Sequence, residues 1–126
     1  YLNMAPLFKN KTAEPFFVTM PYEEAQQNVA IKLSTHVGQE LDIILKGAMK
    51  VQVGSHVEVL HEGDSIYYNS ATPHGMIATE GAECQFYAIV MKGAEEFAPA
   101  GQVPAAHRPE AGPPRQGDCL HALCQN

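Results

Sequence analysis

Short runs of alternating apolar and polar residues, broken every few positions by glycine or proline, decide what this chain can fold into. Met49-Lys50-Val51-Gln52-Val53 alternates with period two, Gly54-Ser55 makes a tight turn, and Val57-Glu58-Val59 alternates again. Strand side chains point to opposite faces in turn, and glycine tolerates the backbone of a two-residue reversal, so this stretch reads as a β-hairpin. The signature repeats along the chain. Residues 16–20 form an apolar run stopped by Pro21, residues 41–45 run up to Gly47, and Glu62-Gly63-Asp64 turns into a β-prone run over 65–68. Residues 76–78 and 84–91 supply two more strands, and residues 29–33 alternate as well. The polar stretch 22–28 reads as a loop or a single helical turn. Many short strands with glycine-bearing turns predict an antiparallel sandwich or small barrel.

Composition narrows the function. The chain has 126 residues, enough for one domain with a real core. Its formal net charge is −6, with only 8 Lys and Arg, dispersed along the chain. Phosphate backbones are held by clustered cations, so direct nucleic-acid contact is not expected. Cys84, Cys119 and Cys124 are an odd number without a zinc-type Cys-x-x-Cys, which argues against a disulfide framework or a structural zinc site and for a reducing compartment. No apolar run approaches a membrane span and no signal peptide is visible, so the expectation is a soluble, cytoplasmic protein. A chain opening at Tyr1 suggests a further segment or domain upstream.

Residues 93–118 are rich in Ala, Pro and Gly, with Val103 their sole β-branched residue. Such a segment buries too little apolar area to offset the entropy of ordering it. The domain expectation is therefore a barrel over 1–92 and a linker-like tail over 93–126. Residues 119–124 are expected to form a short helix, to dock on a neighbouring subunit, or to remain a weakly ordered end.

Three residues carry the chemistry. His36 and Glu40 are separated by an even offset, which on a continuous strand puts them on one face unless Gly38 hosts a bulge. His74 follows Pro73, a residue suited to a strand start or bulge that aims its neighbour inward. Two imidazoles and a carboxylate make one face on a divalent metal and leave other positions open. Lys32 and Ser34 share the parity of His36 upstream, and Asp42 shares it downstream. Asp42 is a candidate acceptor for orienting a ligand imidazole. Tyr68, Met76, Phe86 and Phe17 are candidates to line a pocket, although aromatic and Met residues at strand spacing also suit plain core. His56 and His61 are expected to face solvent, and Cys84 to be a small buried apolar residue.

His36-x3-Glu40-x6-Gly47, followed by Gly63-Asp64-Ser65-Ile66-Tyr67-Tyr68-Asn69-Ser70-Ala71-Thr72-Pro73-His74, resembles the two sequence motifs of the cupin superfamily, over roughly residues 29–91. The resemblance implies a small antiparallel jelly-roll β-barrel with a metal inside. It implies His36, Glu40 and His74 as ligands, with Ser34 in the place of the family's first histidine. The implied cofactor is a divalent transition metal: Fe, Mn, Ni, Zn or Cu. A site with a net charge of about plus one invites a small anionic molecule, and the tentative ligand-binding residues are Lys32, Ser34, Asp42, Tyr68, Met76 and Phe86. The wording around the motifs is similar to the cupin half of bacterial transcriptional regulators with an upstream Xre-type helix-turn-helix domain. That likeness implies a ligand-sensing and dimerisation module. A metal-dependent enzyme, with the oxygenase, epoxidase or isomerase chemistry of mononuclear iron cupins, is the alternative. Both imply a homodimer.

Overall fold

The computed structural model describes residues 1–93 and 104–109. In chain order the strands are β1 (Leu2–Asn3), β2 (Ala13–Met20), β3 (Gln39–Lys46), β4 (Ala48–Val53), β5 (His56–Leu60), β6 (Ser65–Asn69), β7 (His74–Thr79), β8 (Cys84–Met91) and β9 (Ala105–His107). A single 3-10 turn, Glu24–Gln26, follows β2, within the stretch expected to be a loop or helical turn. The strands form two antiparallel sheets. One has the order β1-β2-β8-β3-β6-β9, and the other β5-β4-β7. The two sheets face one another as an incompletely closed jelly roll, in line with the all-β expectation.

Register explains which side chains meet inside. Across the larger sheet, Val18 lies opposite Phe86, which lies opposite Ile44, and Phe16 lies opposite Ala88, which lies opposite Asp42. Residues directly opposite share a face, so these rows point together into the space between the sheets. Val51, Val53 and Met49 of β4 answer from the smaller sheet, and together with Leu60, Ile66 and Tyr68 they form a continuous buried cluster. Cys84, which opens β8, is fully buried in that cluster as expected.

Two expectations are corrected. Residues 29–33 do not form a strand; only Ser34 pairs, by a single bridge to His74. The alternation there is real in burial, with Ile31 and Leu33 partly covered and Lys32 exposed, but the run has no strand to pair with along its length. It instead packs tightly over β7, where a Cβ on Gly75 would sit 2.2 Å from the Lys32 carbonyl oxygen. The linker-like reading of 93–126 gives way at Ala105–His107, which adds β9 to the edge of β6 in register Tyr67↔Ala105 to Ser65↔His107. Ala105 is buried there. Cys119, His121 and Cys124 lie outside the described residues.

Candidate metal centre

The three expected ligands converge from three different pieces of backbone. Glu40 is the second residue of β3 in the larger sheet, His74 is the first residue of β7 in the smaller one, and His36 sits in the loop before β3. One donor atom from each lies within 4.8 Å of the others. The His36 Nε2 atom is 3.3 Å from Glu40 Oε1, and the His36 and His74 rings meet edge-on at 4.9 Å. The shared-strand expectation for His36 and Glu40 is therefore corrected. Gly38, with φ +106°, breaks the strand before it reaches His36, and a Cβ there would meet the Met91 carbonyl oxygen at 2.0 Å. The loop is tied instead to the residues before β7: the His36 N–H donates to the Ser70 carbonyl at 3.0 Å, and the Ser70 N–H to the Gly38 carbonyl at 2.9 Å.

His74 is held firmly. Its Nδ1 lies 2.9 Å from the Thr72 carbonyl oxygen. A carbonyl can only accept, so Nδ1 carries the proton and the neutral ring keeps its Nε2 lone pair for a metal. Backbone bonds with Ser34 in both directions, each 2.9 Å, fix its main chain, and the Tyr68 ring packs 4.9 Å from its imidazole. Glu40 and His74 are buried, while the His36 side chain is 38% exposed and forms the open side. The donor set, the proximity and the fixed tautomer fit a divalent ion of the kind that accepts nitrogen and oxygen together.

These three residues line a cavity of about 580 Å³, a volume typical of small-molecule sites. Lys32, Ser34, Tyr68, Met76 and Phe86 are among the residues that line it. Asp42 does not, and it touches no imidazole. It lies one inward position deeper than Glu40 on β3, fully buried, with the Tyr68 hydroxyl 3.4 Å from its Oδ2. The histidine-orienting acceptor is the Thr72 carbonyl instead. Burial first, and the neighbouring Glu40 second, push the Asp42 carboxyl well above the ordinary carboxylate range. Burial likewise drives the Tyr68 phenol far above its usual value, with Asp42 and Glu40 adding to it, so Tyr68 stays protonated.

Phe17 is also corrected. It points to the opposite face of β2, against Tyr87 at 6.1 Å, while its neighbours Phe16 and Val18 line the cavity with Ala88 and Val90. Parity from Phe86 along Cys84–Met91 identifies Ala88 and Val90; for β2 the run of adjacent apolar residues hid which face was inward. His56 and His61 are exposed, each beside a carboxylate, Glu58 and Glu80 respectively.

Comparison with known proteins agrees with this architecture. The cupin domain family model matches residues 21–90. Among solved structures, hydroxypropylphosphonic acid epoxidase from S. wedmorenis in complex with fosfomycin superposes with TM-score 0.55 at 20% identity, covering 64% of this chain and 44% of that one. The FeII form of HppE in complex with substrate gives TM-score 0.55 at 20% identity, covering 64% and 46%. A cupin superfamily protein from Desulfitobacterium hafniense DCB-2 gives TM-score 0.56 at 12% identity, covering 68% and 72%. The chain thus spans less than half of those epoxidase chains, and at these identities the likeness is one of fold. No curated protein matches the chain. With more than half of its length matched by the family model, and with the jelly roll and the motif spacing both in place, this chain belongs to the cupin family.

Proposed function

We propose that this cupin domain holds one divalent transition metal (iron, manganese, nickel, zinc or copper) on His36, Glu40 and His74, and binds a small anionic molecule in the cavity above it. The convergence of three donor atoms within 4.8 Å in the lining of that cavity carries the reading. When bound, the ion supplies Lewis acidity and positions open to water or ligand. The chain does the rest. Thr72 fixes the His74 tautomer, Glu40 cancels one positive charge, and the remaining charge of about plus one favours an anion. Lys32 at the wall adds to that preference, and Ser34, Tyr68, Met76 and Phe86 shape the space.

Binding rather than turnover is the favoured role: an effector-sensing and dimerisation module of a bacterial, cytoplasmic transcriptional regulator, with nucleic acid contacted by another domain. Its support is the poverty of proton-transfer groups. Outside the triad and the exposed Tyr1, the titratable groups among the described lining residues are Lys32 and a Tyr68 phenol kept protonated by burial. Val57 and Val59, exposed on the edge strand β5, support pairing of two copies through a sheet edge. Among the described residues no helix is long and apolar enough to cross a membrane. A second reading, a metal-dependent oxygenase, epoxidase or isomerase, is supported by the fold shared with an iron(II) epoxidase and by a ligand triad open to a cavity.

Elemental analysis of protein purified without added metal, beside His74→Ala and Glu40→Ala, tests the site. Near-stoichiometric metal in the wild type and its loss from both variants is expected; metal surviving in both overturns the assignment. Consumption of oxygen with a bound small acid would favour the enzyme, and light scattering reads the dimer.

A further inference from the structure

Besides the three candidate ligands, the polar groups lining the cavity at the triad belong to Lys32, Ser34, Tyr68 and the exposed Tyr1. One side of the lining is apolar throughout: Phe16 and Val18 of β2, Met76 of β7, and Phe86, Ala88 and Val90 of β8. The register makes this a continuous apolar wall: Val18 stands opposite Phe86, Phe16 opposite Ala88, and Val90 opposite Glu40 itself. Lys32 is the one lysine or arginine among the described lining residues, and it makes no ion pair with any described carboxylate. No second lysine or arginine is among the described lining residues, so a second anionic group placed against the β2 and β8 wall would meet hydrocarbon. Burying a charge without a partner is costly, whereas burying methylenes there is favourable.

From this we infer that the ligand is an acid with a single anionic group and an apolar body, seated with its acid between the triad and Lys32 and its body against the β2 and β8 wall. The inference rests on the metal-binding reading only for the anchoring of the acid; the selection for an apolar body comes from the wall. Polyacids, sugar acids and other ligands polar throughout are disfavoured by the same surface.

Calorimetric titration of the full chain with acetate, hexanoate and adipate, each with zinc-loaded and with chelator-treated protein, tests it. Hexanoate carries the headgroup of acetate plus four methylenes, each worth about a fourfold gain when buried, so it is expected to bind on the order of 100-fold more tightly. Adipate, as long as hexanoate but charged at its far end, is expected to lose most of that gain. Lys32→Gln, at an exposed position that the fold does not need, should weaken acetate and hexanoate by a similar factor and leave their ratio unchanged. Phe16→Ser, on the partly covered wall, should lower the ratio itself.

Equal binding of acetate and hexanoate, or adipate binding as tightly as hexanoate, overturns the inference. If that happens while zinc strengthens all three acids, the metal reading stands alone. If the hexanoate preference holds in both forms and zinc makes no difference, the apolar-acid inference stands and the metal reading falls.

Discussion

The Nδ1 of His74 and the carbonyl of Thr72, two residues apart and 2.9 Å distant, set the chemistry of the candidate centre before any ion arrives. The intervening Pro73 ends the turn from β6, and the first residue of β7 finds its ring already in the tautomer a metal requires. Since His74 is buried against Tyr68 while His36 is half open, the two histidines should answer substitution differently. His36→Ala should lower metal affinity by at least about tenfold and shift metal-free stability little. His74→Ala should lose the metal and also cost about 2 kcal/mol of metal-free stability, through the lost bond and packing. Urea melts with and without zinc check both.

Gly38 should be intolerant of any side chain. Its φ of +106° disfavours an L residue, and a Cβ would meet the Met91 carbonyl oxygen at 2.0 Å. Gly38→Ala is expected to cost about 2 kcal/mol or more and to detach His36 from the other two ligands. A thermal melt together with zinc content reads this; an unchanged value of both would mean the loop relaxes freely.

Cys84 gives the protein an alkaline weakness. Burial first, and Asp42 second, push its thiol up to about 11. A group that holds its proton more tightly when folded contributes full stability below its unfolded value of 9.0, and that contribution is lost as pH rises towards 11. Wild type should therefore lose about 2 kcal/mol relative to Cys84→Ala between about pH 8 and about pH 10.5. The cavity left by the alanine is independent of pH, so the change in the difference between the two urea curves isolates the thiol.

At the β9 edge, two neighbouring contacts should differ in weight. Arg108 reaches Glu58 at 2.6 Å but its side chain is 45% exposed, so Arg108→Ala should cost under about 1 kcal/mol. Ala105 is buried opposite Tyr67, and Ala105→Asp should cost about 2 kcal/mol or more by burying a carboxylate without a partner. Thermal unfolding of the two variants gives the comparison, and a larger loss from Arg108→Ala would contradict it.

Most strands were legible because alternation and glycine turns are local: the Met49 to Val59 hairpin forms with Gly54-Ser55 at its tip, and Cys84–Met91 runs as one strand. The motif spacing also brought His36, Glu40 and His74 together as candidates, and the fold does gather them. Residues 29–33 misled because alternation reports which side faces the core and says nothing about whether a partner strand exists. Ala105–His107 was missed because small residues in a Pro-rich stretch carry no pattern, and only the free edge of β6 gives them a place. Phe16 and Phe17 are chemically equal neighbours, so their faces were decided by pairing with β8. The same holds for Asp42, whose parity matches Glu40 but whose depth under Tyr68 removes it from the cavity. Periodicity and turn chemistry act over a few residues and are written in the chain itself. Depth, ring tautomer and the joining of donors from two sheets depend on contacts between residues far apart in sequence, and only packing creates those.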